Sequence, residues 1–225
     1  MNELEDLDVK LALDIKREKE KIGVLFSKFE KRMKPKTRVP AALVGQFIAE
    51  YVLRIKTASI DEDGDKILLD CRRLLEVLIV SKYINKNNSF VKFIACCRYD
   101  RYDFLENLDK VTKANKKLFP ERKDLFTERK WIADEKEKII SDGSKIVKLP
   151  QISQMAEDVG YAEEYSSFYK IMSKLLHFCP FSLIGDIPGK DKKEKIQYFI
   201  RIWRYLSEIK KELDLIYEKT KPDNL

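Results

Sequence analysis

Tyr169, Ser173 and His177 fall at every fourth position in Tyr169-Lys-Ile-Met-Ser173-Lys-Leu-Leu-His177-Phe-Cys-Pro180. On a helix that spacing sets the three polar side chains on one stripe. His177 is the only histidine in the chain, and so the only side chain whose unperturbed pKa lies near neutrality. It is a candidate general acid/base, with Ser173 or Tyr169 orienting it or polarising a substrate oxygen. A plainer reading stands level with it. Directly before Phe178-Cys-Pro180, His177 also suits a helix C-terminus, where an imidazolium meets exposed carbonyls and the helix dipole. One histidine excludes a two-histidine metal site. The four cysteines, Cys71, Cys96, Cys97 and Cys179, show no metal-ligand spacing and read as reduced thiols of a cytoplasmic protein. No metal and no cofactor is expected.

Three further groupings could carry chemistry. Glu76 interrupts the apolar run Leu74-Leu-Glu-Val-Leu-Ile-Val80, which predicts a carboxylate inside the bundle. A buried charge needs a partner, and Arg72, one turn earlier, can supply it. Arg before Glu is the weaker order for helix stability, so the pair is not explained by helix formation. A structural salt bridge still leads as its explanation. Arg98, Arg101 and Tyr102 share one face of a fourth helix, where cations beside an aromatic can hold a phosphate and stack a base. A solvated charge cluster leads there. Gly185-Asp-Ile-Pro-Gly189-Lys190-Asp191 is not a phosphate loop: it has three residues between the glycines, Asp191 where Ser or Thr is required, and no preceding strand.

These residues need helices to position them, and the composition predicts little else. In 225 residues there are seven glycines and seven prolines, while 37% are charged. Few turn residues and many charges indicate long amphipathic helices. Leu4, Leu7, Leu11, Ile15, Ile22, Phe26, Phe29 and Met33 mark a first helix closed before Pro35. Ala41 to about Thr57 forms a second, with Leu43, Val44, Phe47, Tyr51 and Val52 inward. A third runs from the Ser59-Ile-Asp-Glu-Asp-Gly start to about Ile84, and a fourth from Ser89 through Val111. Another, about Tyr161–His177, carries the histidine. A last, roughly Lys193–Lys219, turns Ile196, Phe199, Ile200, Trp203, Leu206, Leu213 and Ile216 inward. The fold expected is all-α, a single bundle of about six to eight helices with a charged, partly mobile excursion at 113–150. Its parts are a long N-terminal helix with a basic end over 1–36, a bundle core over 37–184, and a C-terminal helix over 185–225.

The net charge of +7 arises in one stretch: between residues 10 and 38, eleven Lys and Arg face four acids. The preceding Glu3, Glu5, Asp6 and Asp8 are acidic, so this is the polarity that a helix macrodipole favours. The same basic end is the best electrostatic candidate for a polyanion. The acidic start is no secretory signal. The apolar stretches Ala41–Ile55 and Leu74–Val80 are too short or too interrupted to span a bilayer, so no membrane partner is expected.

Arg72-Arg-Leu-Leu-Glu76, a following helix with Phe93 and Tyr99/Tyr102, and then Tyr169…Ser173…His177 before a short loop together resemble the bacterial domain-of-unknown-function family 5677, over about Ala41 to Leu183. The resemblance implies an all-helical, uncharacterised protein. There is also a distant similarity to the HEPN helical-bundle ribonucleases of defence and toxin systems, which carry Arg, four to six residues, then His on one helix. Here only Lys170 and Lys174 precede His177 on its helix, so such a site would assemble between helices. Arg72 or Arg98 would then stabilise the phosphorane and His177 would move protons.

Two function classes remain: an RNA-binding or metal-independent ribonuclease-like effector, and a non-catalytic helical interaction module with a protein partner or a second copy. The site expectation is sharper. Arg72, Glu76 and His177 should meet in one cleft, with Tyr169 and Ser173 along its wall.

Overall fold

A computed structural model describes residues 3–33, 39–55, 64–114, 149–170, 172–173 and 191–221. The elements are α1 (Glu3–Arg32), α2 (Pro40–Arg54), α3 (Gly64–Lys86), α4 (Phe90–Ala114), α5 (Ile152–Asp158), α6 (Ala162–Glu164) and α7 (Lys192–Glu218). A π-helical turn, Tyr165–Tyr169, continues directly from α6. There is no strand among the described residues. The all-α expectation therefore holds. None of the described helices is long and apolar enough to cross a membrane.

The chain divides into two compact units, one made of residues 1–90 and 150–225 and the other of residues 91–149. In the first, α3 and α7 pack against each other, and α1 packs on α7 and α2. Each helix presents an apolar stripe to this core, as burial of a 3.6-residue repeat requires. Leu11, Ile15, Ile22, Leu25 and Phe29 supply it from α1; Ile67, Leu68, Cys71, Leu74, Leu75, Leu78 and Ile79 from α3; and Ile202, Tyr205, Leu206, Ile209, Leu213 and Ile216 from α7. The second unit contains α4 from Val91 onward.

Small residues set the closest approach. Ala41, Ala42, Gly45 and Ala49 are buried on α2, and a Cβ added at Gly45 would lie 2.4 Å from the Phe29 ring. Phe29 itself meets Tyr217 edge-on at 5.6 Å. Local signals account for the ends. Pro40 opens α2 where a missing N–H costs nothing. Gln151 and Gln154 cap α5 reciprocally. Asp191 accepts the Lys193 N–H at the start of α7. Gly160, with φ of +78°, closes α5, and the Tyr161 N–H returns to the Ala156 carbonyl at 2.7 Å.

Two inward stripes differ from expectation. On α2, Phe47 and Tyr51 are exposed, while Ile48, Ala49 and Val52 face the core. On α7, Ile200 and Trp203 are exposed, and Ile202 and Tyr205 are buried in their place. Both helices carry apolar residues on more than one face. Contact with the partner helix, rather than side-chain size, decides which face is covered.

Candidate functional site

Arg72 and Glu76 lie one turn apart on α3, at the flank of its buried stripe. The Arg72 Nε is 3.6 Å from Glu76 Oε1, with the two side chains 21% and 35% exposed. Glu76 is thus half-buried rather than interior, because α3 covers Leu75, Leu78 and Ile79 more fully than the residue between them. The third member comes from the π-helical turn. The buried Tyr169 donates its hydroxyl hydrogen to Glu76 Oε1 at 2.5 Å, and Arg72 Nη2 donates to the same phenol oxygen at 3.3 Å. The Arg72 guanidinium lies 5.1 Å from the Tyr169 ring centroid. Tyr165 stacks on Tyr169 with centroids 4.6 Å apart. A π-helical turn adds a residue to the helical repeat and re-aims the side chains beyond it, and such turns occur often at functional sites.

The electrostatics of this trio are defined by burial. Burial, followed by donation of its hydrogen to Glu76, raises the Tyr169 phenol above its ordinary pKa. It is therefore a hydrogen-bond donor throughout the neutral range. Ser173 Oγ is buried without a hydrogen-bond partner. The cleft expected from the sequence joins Arg72, Glu76 and His177, with Tyr169 and Ser173 along its wall; of these, Arg72, Glu76 and Tyr169 meet here. His177 lies outside the described residues. Arg98, Arg101 and Tyr102 fall within α4, and their side chains also lie outside the described residues.

A second polar cluster, unanticipated from the sequence, lines the seam between α3, α7 and the α5–α6 turn. Lys82 bridges Glu208 at 3.2 Å and Glu212 at 3.4 Å. Tyr161 donates to Glu208 at 2.5 Å, and Asn85 Nδ2 donates to Glu212 at 2.8 Å. Glu164 accepts from the Tyr205 hydroxyl and pairs with Arg204 at 2.9 Å. Burial raises Glu208, but hydrogen bonds from Tyr161 and Lys82 and the nearby charges of Lys82 and Arg204 outweigh it and hold the carboxyl below its usual range. The signal available in the sequence was weak: acids and lysines spaced along α7 look the same on a solvated face. Two cavities adjoin this seam, both walled by Lys82 and Glu212. One, of about 670 Å³, reaches Asn85, Lys86, Asp158 and Lys219. The other, of about 340 Å³, reaches Trp203, Arg204, Ser207 and Lys211.

The described cysteines, Cys71, Cys96 and Cys97, are thiols rather than disulfides, and burial raises all three, Cys71 most. Among the described residues, no three His, Cys, Asp or Glu side chains gather as a metal-binding group.

An all-helical core with an Arg-x-x-x-Glu pair on one helix and a tyrosine reaching it from a later one is the architecture at hand. The model of a family of unknown function (DUF5677) matches residues 61–195. This is more than half of the chain, and the protein belongs to that family. No curated protein and no solved structure matches it.

Proposed function

We propose that this protein is an RNA-binding effector of a bacterial defence or toxin system, with metal-independent ribonuclease activity centred on Arg72, Glu76 and His177. The observation that carries the reading is the meeting of a guanidinium, a carboxylate and a protonated phenol at a half-open site. Tyr169, which closes that trio, stands eight positions before His177 in the sequence. In this reading Glu76 holds Arg72 and Tyr169 in place, and Arg72 meets the scissile phosphate. His177 takes the proton from the 2′-hydroxyl as O2′ attacks phosphorus. The bond from phosphorus to the 5′-oxygen breaks, and His177 delivers the proton to that oxygen, leaving a 2′,3′-cyclic phosphate.

Cleavage of single-stranded RNA should persist in excess chelator and show a pH limb near about 6.5, the ordinary histidine value. His177→Ala should lower the rate by roughly a hundredfold with RNA affinity nearly unchanged. An equally active His177→Ala protein would remove the enzymatic reading.

A second reading is favoured by one feature of the same trio: Arg72, Glu76 and Tyr169 satisfy one another. Such mutual bonding suits a non-catalytic helical module that holds a protein partner. RNA affinity separates the two. Phosphate contacts weaken steeply as salt rises, whereas an apolar helix interface does not.

A further inference from the structure

We propose that the outer face of α7 carries a subsite for single-stranded RNA, with Trp203 stacking a base and Lys211 holding a phosphate. The inference rests on the RNA-binding reading and assigns it a second contact surface, apart from Arg72 and Glu76. Trp203, Ser207 and Lys211 lie at i, i+4 and i+8 on α7 and so share one stripe. All three line the same cavity of about 340 Å³.

Each member has the required chemistry. Trp203 is 38% exposed where the core would otherwise have claimed it, and an indole accepts any base by stacking. The acids of this cavity, Glu208 and Glu212, are engaged by Lys82, with Tyr161 and Asn85 adding further bonds. Arg204 is engaged by Glu164. Lys211 lies outside these pairs, and the lining carries three cations, Lys82, Arg204 and Lys211, against the two acids Glu208 and Glu212. Eight residues of helix separate the Cα atoms of Trp203 and Lys211 by about 12 Å. That separation takes a stacked base at one end and the backbone of a neighbouring nucleotide at the other. A second cavity continues past the shared Lys82–Glu212 wall toward Lys219, whose amine meets the Asn85 carbonyl. The strand would follow that direction.

The chain has two tryptophans, so Trp131→Phe leaves Trp203 as the sole indole. Titration of that protein with oligouridylate should quench its fluorescence, over the same concentrations that raise the anisotropy of a labelled oligonucleotide. Trp203→Leu should weaken binding roughly tenfold, the range for losing one stacked base. Lys211→Ala should weaken it less and make the salt slope shallower by about 0.7, as for one phosphate on a single strand. Circular dichroism on each variant checks that the helices persist. Binding by anisotropy with an unquenched Trp203 and no loss in either variant would overturn the subsite while leaving RNA binding intact. No salt-dependent binding by the parent protein would overturn both, in favour of a protein partner.

Discussion

Tyr169 is the residue on which the Arg72–Glu76 pair depends, because its hydroxyl both donates to the carboxylate and accepts from the guanidinium. Tyr169→Phe removes both bonds and nothing of the ring packing against Tyr165. It should destabilise the protein by about 1 kcal/mol, the net worth of an ordinary hydrogen bond, read as a shift of the urea midpoint at constant slope. Glu76→Ala measures how dry the site is. A fully buried Arg72 left without its carboxylate would cost about 3 kcal/mol. With the two side chains 21% and 35% exposed, water reaches the abandoned guanidinium, so the expected cost is nearer 1 kcal/mol. A loss of about 3 kcal/mol or more would mean that the pair is sealed. The double variant should fall short of the sum, since both changes sever one shared bond.

At the scale of elements, two glycines in neighbouring helices separate propensity from packing. Gly23 on α1 has nothing within 4 Å of the position a Cβ would take. Gly23→Ala should stabilise the protein by roughly 0.5–1 kcal/mol, the difference in helix propensity. Gly45→Ala on α2 gains the same propensity but drives a methyl to 2.4 Å from Phe29, a ring that is wholly buried. Overpacking costs about 1–3 kcal/mol and should win, giving a lower thermal midpoint for Gly45→Ala and a higher one for Gly23→Ala. The sequence makes the helices legible because leucine, isoleucine and valine recur with a 3.6-residue period in α1 and α3. It makes the Arg72–Glu76 pair legible because a carboxylate stands alone in an apolar run. It misplaces Phe47, Tyr51, Ile200 and Trp203, since residue type does not tell which of two apolar faces meets another helix. Periodicity is equally blind to the π-helical turn at Tyr165–Tyr169, which departs from the period being searched. The α3–α7 seam of Lys82, Glu208 and Glu212 depends on pairing across more than a hundred residues, and no local spacing encodes it.

For the molecule as a whole, buried acidic hydrogens predict an alkaline weakness. Burial raises the phenols of Tyr161, Tyr169, Tyr198 and Tyr205, and hydrogen bonds to Glu208, Glu76 and Glu164 add to this for Tyr161, Tyr169 and Tyr205. Burial raises the thiols of Cys71, Cys96 and Cys97 as well. A group raised on folding contributes stability that is complete below its unfolded pKa and is lost as pH climbs toward its folded value. The losses should therefore begin near about 8.5 for the thiols and about 10 for the phenols. Lys19 opposes them. Its amine is lowered by burial, with Asp70 pulling the other way, so it adds stability as pH rises toward about 10.4. Among the described residues, one amine against four phenols and three thiols leaves the net slope downward. On the acid side Glu208 is held low, so its contribution is present above about 4.3 and disappears as pH falls through its folded value. The urea midpoint should thus be nearly flat from about pH 5 to about pH 8.5 and fall steeply above about pH 10. Tyr205→Phe deletes the most buried phenol of the four. Whatever it costs at neutral pH, it should make the alkaline fall shallower. An alkaline slope equal to that of the parent protein would mean that the Tyr205 hydroxyl titrates as freely in the fold as in the unfolded chain.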